Sequence, residues 1–446
     1  MRTIQRVKQN RQWLRPLALL FVVALISIYS RIDTTGARGV APSSLELQVP
    51  FLTGVTQTIS NNSGDQYDPH VTCDLVTFTD DDQLGSTQIR YFDFGTNQEH
   101  AIPGNGADFL SDISAGRIAF TEANALGSMV VIFDLDSQTR TVVPGFNHSR
   151  STINANLIAF EDRSFFAALN QSEISVYDIT TATTTRLTND SLFDKNPAVS
   201  PSGKAVVWEK CQTDGTGCNI YVASFTSPGV FTTRVITDAT GDFRSAEAND
   251  QNVVYIANRD GETDLYYQPL AGGAETRISI PGLQRDLSVA GNLIAFESQV
   301  ETGYDIFVYD LSTSQLYRVT STSSDETLND ITVCNGTGRI VYASPFMDFD
   351  VHSFTFQAPN PPSSHLNDLV ALVESFNLRP GIENSLVTKL QNALAAIAVS
   401  DITTACDALT SFSNECRAQS GKKLTIDQAN ELITAATQIK GNLGCQ

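Results

Sequence analysis

His70, Asp112, Glu247 and Asp330 each stand directly before an apolar residue in a short extended segment, in the pairs His70-Val71, Asp112-Ile113, Glu247-Ala248 and Asp330-Ile331. One imidazole and three carboxylates gathered on a common ring have the donors to hold a divalent cation, or to act as acid and base. The same column continues through Thr152, Ala198 and Ser288, which precede Ile153, Val199 and Val289. Ala, Ser and Thr at equivalent places argue for polar lining facing water rather than for a metal centre. The four residues are therefore candidates for binding; none is assigned to catalysis, and no metal or cofactor is expected.

What gathers them is a repeat. Residues 291–320, "GNLIAFESQVETGYDIFVYDLSTSQLYRVT", read as three consecutive strands, and related segments recur at Leu75, Arg117, Leu157, Ala205, Val253, Leu293 and Arg339, spaced 40 to 48 residues apart. A period of this size in short strands is the sign of a β-propeller with four strands per blade. The expected fold is all-β with seven blades, six being the alternative count, followed by a small helical bundle. First strands line the central channel, which places the column above on its wall. Third strands often end aromatic-Asp-apolar, at Asp93, Asp134, Asp178 and Asp310. An Asp there can accept from backbone two residues on and fix the following turn, so these acids read as structural.

The seventh repeat lacks a fourth strand, because "APNPPSS" follows "DVHSFTFQ". The stretch 55–71 matches 184–199 and so supplies a fourth strand ahead of the first complete blade. The N-terminal strand, 55–60, is expected to complete the last blade and remove its open edge. From residue 364 the period changes to 3.6, with Leu366, Leu369 and Val373 on one face, then Leu386, Leu390 and Ala393, then Leu409 and Phe412, then Leu432, Ala436 and Ile439. Thr425 and Gln428 form a capping box for the last helix. The chain thus divides into 1–31, a leader; 32–52, a linker; 53–357, the propeller; 358–363, a Pro-rich linker; and 364–446, the helical bundle.

Six basic residues and no acid fall within 1–31, around an apolar run from Leu17 to Tyr29. The run is short beside the roughly 20 residues of a membrane span. This reads as an export signal, with cleavage preferred over retention as an anchor. The rest of the chain carries 23 bases against 49 acids, which repels nucleic acid and anionic lipid. The membrane is a partner only through the N-terminal segment, if that is uncleaved. Export to the periplasm or medium makes disulfides the default for the seven cysteines. Cys211 and Cys218 flank "QTDGTG" between two strands and should close a hairpin. Ring closure makes the first and seventh blades neighbours, so Cys73 and Cys334 are expected to bridge the seam. Cys406 and Cys416 would lie roughly 15 Å apart on one helix, too far to join each other. One of the two, with Cys406 preferred, pairs with Cys445.

The units "LIAFES...YDIFVYDLSTSQLYRVT" and "NPAVSPSGKAVVWEK...CNIYVAS...TTRVIT" resemble the TolB-type, WD-like propeller repeats of bacterial envelope proteins. The best-known member of that family has six blades and a different N-terminal domain, so the resemblance implies the fold and not a role in the same complex. Residues 364–446, with "GIENSLVTKLQNALAAI", "ACDALTSF" and a final Cys, resemble the FIMAH-type accessory module of exported bacterial proteins. That resemblance implies export and attachment rather than catalysis, and its usual cysteine pair matches Cys406 and Cys445, leaving Cys416 free.

Motifs for chemistry are sparse. There is no G-x-S-x-G elbow, H-E-x-x-H or phosphate-binding G-x-x-x-x-G-K-[ST]. "NRDGETD" at 258–264 and "TDDDQ" at 79–83 lack the order of a calcium loop and sit between second and third strands, where turn chemistry accounts for them. The Asn-x-Ser/Thr triplets at Asn61, Asn147, Asn170, Asn189 and Asn335 would count only in a eukaryotic secretory pathway. The expected function is that of a non-catalytic, secreted or envelope-associated propeller that binds a protein or glycan. The alternative is a propeller enzyme, a glycan lyase or hydrolase, using channel acids such as Asp112, Glu247 and Asp330.

Overall fold

In the computed structural model, described residues are 49–446 apart from 83–84, 165–170, 238–240, 260, 281, 301–302, 323, 335, 346–348, 359–361, 377, 399–400, 444 and 446. Residues 1–31, expected as a leader, and nearly all of the expected linker 32–52 lie outside them. Strands occupy Gly54 to Gln357 and form seven four-stranded antiparallel sheets. In chain order the blades span 65–101, 108–142, 148–186, 193–235, 242–278, 284–318 and 327–357. The last of these holds three strands and takes the strand Gly54–Ser60 as its fourth. Seven blades, the closing strand and a helical part are as the sequence indicated.

Second strands are central in each sheet and apolar on both faces, so they form the core. Phe78, Phe120, Phe160, Trp208, Tyr255 and Phe296 are fully buried at equivalent places in six blades. Neighbouring blades share these residues: Phe78 packs with Val71, Val341 and Val351, which joins the first blade to the seventh. The apolar column beside the channel, Val71, Ile113, Ile153, Val199, Ala248, Val289 and Ile331, is buried throughout.

Closure uses more than the one strand. Gly54–Ser60 pairs antiparallel with Phe349–Gln357, from Gly54 opposite Phe356 to Ser60 opposite Val351. Gly54 sits so close to this partner that an added Cβ would lie 2.4 Å from the Phe354 ring. Just before it, the chain also clasps the outer strand of blade six: Leu52 N–H donates to Arg318 O at 2.8 Å, and Arg318 N–H to Pro50 O at 3.0 Å. The Cys73–Cys334 disulfide, Cα atoms 5.7 Å apart, staples the seam between blades one and seven. Cys211–Cys218 closes the expected hairpin.

Four helices follow: α1 Pro362–Ser375, α2 Pro380–Ala398, α3 Ile402–Gln419 and α4 Ile426–Asn442. Their apolar stripes meet in one core containing Leu366, Leu386, Leu409, Phe412 and Leu432. The capping box forms as read, with Gln428 N–H donating to Thr425 Oγ1 at 3.1 Å and Thr425 N–H to Gln428 Oε1 at 3.0 Å. Cys406 is joined to Cys445, and Cys416 is a buried free thiol whose pKa burial pushes up to about 12. No helix among the described residues is long and apolar enough to cross a membrane.

Candidate functional site

Every first strand carries a β-bulge, and in six blades a residue there takes a left-handed conformation: Asp68, Leu110, Arg150, Asn196, Ser245 and Asp286, with φ between 42° and 56°. Each stands two residues before the column that the sequence singled out. The bulge interrupts the ladder and frees backbone N–H groups that must find other acceptors. Neighbouring blades supply them.

The column therefore forms a belt of bonds around the channel. Asp112 Oδ1 accepts from its own Ile113 N–H and Oδ2 from Ile153 of the next blade, both at 2.7 Å. Thr152 Oγ1 donates to Pro197 O at 3.2 Å. Glu247 Oε2 accepts from Val289 N–H at 2.8 Å, and Ser288 Oγ donates to Asp330 Oδ1 at 2.9 Å. Asp330 then reaches across the seam to accept from Val71 N–H at 2.8 Å. His70 joins blades seven, one and two, with Nδ1 3.5 Å from Asp112 Oδ1 and 3.8 Å from Asp330 Oδ2, and Nε2 3.7 Å from Asp68 Oδ1. The joint between blades four and five falls at Ala198, whose side chain has no polar atom.

All four predicted residues thus lie on one wall, and His70 is in direct reach of Asp112 and Asp330. Burial opposes the charge on His70, but Asp112, Asp330 and Asp68 together outweigh it and hold its pKa well above 6.5. Burial pushes Asp112 up to about 6; His70 pulls the other way and Asp330 adds to the rise. Burial, with Asp330 reinforcing it, pushes Glu247 up to about 8. Near neutrality the cluster is one imidazolium balanced by carboxylates, with Glu247 carrying a proton. That state suits holding strands together, with the imidazolium lying between carboxylates of neighbouring blades.

A second set of acceptors lay outside the sequence reading. Glu161, Glu209 and Glu297, all buried, accept from N–H groups in the following blades: Asn196 at 3.2 Å, Ser245 at 2.9 Å and Leu328 at 2.7 Å. Thr79 does the same for Leu110 at 3.1 Å. Glu161 is balanced by Arg163 at 2.7 Å, Glu209 by Lys195 at 3.3 Å, and Glu297 by Arg285. The available signal was an acid directly after the core aromatic of the second strand, in "AFED", "VWEK" and "AFES".

The remaining candidates are turn fixtures. Asp93, Asp134, Asp178 and Asp310 accept from Gly95, Ser137, Thr181 and Ser312 N–H at 2.7 to 2.9 Å. In the two calcium-like stretches, Asp82 accepts from Ser86 N–H, and Asp264 is bonded to Arg277 and Ile280; Gln83 and Asp260 lie outside the described residues. Among the described residues the tightest metal-type grouping is Glu209, Cys211 and Cys218, whose two sulfurs are bonded to each other.

The chain matches no protein-family model and no curated protein. In shape it is similar to the β-propeller domain of the Trilobed protease from Pyrococcus furiosus, with a TM-score of 0.50 and 10% identity over 67% of this chain and 96% of that one. Similar too is an oligogalacturonate lyase in complex with manganese, at 0.51 and 13% identity over 69% and 97%. Against an acylaminoacyl peptidase of Pyrococcus horikoshii the TM-score is 0.50 at 10% identity over 67% of this chain, which spans only about half, 53%, of that enzyme. TolB from Acinetobacter baumannii matches at 0.36, a likeness that carries no weight. At these identities the comparisons establish one thing: the chain has a β-propeller fold.

Proposed function

We propose that this chain is a non-catalytic binding propeller of the extracytoplasmic space that presents one face to a protein or glycan partner. One observation carries the reading: the polar channel residues are spent on a belt of inter-blade hydrogen bonds, so the wall that would host chemistry is structural. An exposed apolar pair supports it. Leu126, 74% exposed, stands in a turn of blade two, and Phe146, 47% exposed, in the connection from blade two to blade three, where Gly127 packs against Asn147. Three disulfides fit an oxidising compartment. In this reading the blades are TolB-type units and the helices a FIMAH-type accessory module, whose usual cysteine pair corresponds to Cys406 and Cys445.

The second reading, an enzyme acting on glycans, draws on His70 lying within 4 Å of both Asp112 and Asp330. Both are tested by exposing the chain to envelope proteins and to a glycan panel, with turnover followed in parallel. Retention of a partner without turnover, weakened by Leu126→Ser with Phe146→Ser, is the expected result. Turnover of a glycan that His70→Gln abolishes would replace the binding reading with the enzyme.

A further inference from the structure

The sequence is unevenly charged in a way the propeller does not use. Residues 32–363 hold 17 bases against 41 acids, whereas 364–446 hold six against eight. The helical part is therefore where a polyanion meets the least long-range repulsion. It also holds a cleft of about 370 Å³, lined by Thr410, Ser413, Arg417, Thr437, Lys440 and Cys445. That volume is in the range of small-ligand sites.

Helical spacing builds the cleft. Thr410, Ser413 and Arg417 follow one another by three and four residues on α3, and Thr437 and Lys440 by three on α4, so each set shares a face. The Cys406–Cys445 disulfide ties the two helices together at one end. Both cations are positioned by neutral oxygens: Lys440 Nζ donates to Thr410 Oγ1 at 2.8 Å, and Arg417 to Asn414 Oδ1 at 3.0 Å. No carboxylate among the described residues lines the cleft or forms an ion pair with either. The hydroxyls are oriented as well. Thr410, Ser413 and Thr437 each donate their proton to the carbonyl four residues back, at 2.8, 2.9 and 2.7 Å. Thr437 Oγ1 therefore presents its lone pairs outward, Thr410 Oγ1 keeps one beside the one that Lys440 takes, and Ser413 lies buried behind them.

A ligand that suits this cleft carries an anionic group for Arg417 and Lys440 and hydroxyl donors for the Thr437 and Thr410 oxygens. We infer that the α3–α4 cleft binds an acidic saccharide, a uronate sugar, through its carboxylate and neighbouring hydroxyls. The helical part is then a glycan-attachment site in its own right, separate from whatever the propeller face engages. A simple inorganic anion meets only half of this description, because the lone pairs facing it repel negative charge.

Titration of the full chain with a uronate trisaccharide, its carboxyl-reduced neutral counterpart and inorganic sulfate tests this. The trisaccharide should bind, with the reduced sugar and sulfate each about tenfold weaker or worse, one charge-assisted hydrogen bond being worth roughly that factor. Arg417→Met and Lys440→Met should each weaken the trisaccharide about tenfold, and Lys440→Arg should restore most of it. Thr437→Val should weaken the trisaccharide and leave sulfate unchanged. Mass spectrometry of the Cys406–Cys445 pair and far-ultraviolet circular dichroism check the folding of each variant. Sulfate binding as tightly as the trisaccharide, equal binding of the neutral sugar, no binding at all, or affinity indifferent to Arg417→Met would each overturn the inference. The ligand comparison needs no variant and decides even if a substituted chain fails to fold.

Discussion

Replacing Glu247 by Gln removes one proton-binding group from the channel belt and leaves its shape, since an amide oxygen can still accept from Val289 N–H. In the fold Glu247 titrates near 8 against an ordinary 4.5. Between those values the folded chain keeps a proton that the unfolded chain has already lost, so stability falls as pH rises through this window. Each tenfold gain in proton affinity is worth about 1.4 kcal/mol, which sets a ceiling of about 5 kcal/mol, and partial contact of the channel wall with water reduces this to about 2 kcal/mol. His70 acts in the same direction: its contribution is full below 6.5 and is lost as pH rises through its higher folded value. Asp112 adds to the trend between its ordinary 3.8 and about 6. The assay is urea unfolding from pH 5 to 8.5, followed by the fluorescence of Trp208, the one tryptophan besides Trp13 and fully buried in blade four. Wild type should be most stable on the acid side, and Glu247→Gln should gain on it by about 2 kcal/mol towards pH 8.5. Parallel curves, or a wild type that gains on the variant as pH rises, would refute the protonated state assigned to this cluster.

Three further outcomes are expected. Cys73→Ser with Cys334→Ser frees a loop closed over 261 residues, and loop entropy sets an upper bound of about 5.6 kcal/mol on the loss, read as a lower urea midpoint; an unchanged midpoint would show the seam held by strand pairing alone. Glu297→Ala strands the Leu328 N–H and removes from beside Arg285 a carboxyl whose pKa burial pushes up to about 8, so it should cost roughly 1–3 kcal/mol in the same assay, while Glu297→Gln recovers part of it. Thr425→Ala removes half of the capping box and should cost about 1 kcal/mol in the helical part, visible as loss of helical circular dichroism on heating with the Trp208 signal unmoved.

What was legible in the sequence was whatever repeats or lies close along the chain. The closing strand showed itself because "VTQTISNN" copies the fourth strand of another blade, and the seam disulfide followed from counting strands. The turn role of Asp93, Asp134, Asp178 and Asp310 followed from repetition at one structural place. The bulges did not show, because Asp68, Leu110, Arg150, Asn196, Ser245 and Asp286 share a backbone conformation and no side-chain type. The column was found by alignment, yet its partners are backbone N–H groups of the next blade, and a backbone donor has no letter in a sequence. For the same reason Glu161, Glu209 and Glu297 read as ordinary strand residues. Pro50–Leu52 on blade six escaped because two hydrogen bonds leave no periodicity.

The clasp at Pro50–Leu52 and the strand after it set the order of events at synthesis. Residues 50–60 leave the ribosome before any blade, but their partners, Arg318 and Phe349–Gln357, come some 260 to 300 positions later. The first segment made is the last to be seated. Until then a nascent chain carries a bare strand at one end and an incomplete blade at the other, two edges able to pair with another molecule's. The ring of a chain of this design can close only after Phe349–Gln357 has emerged.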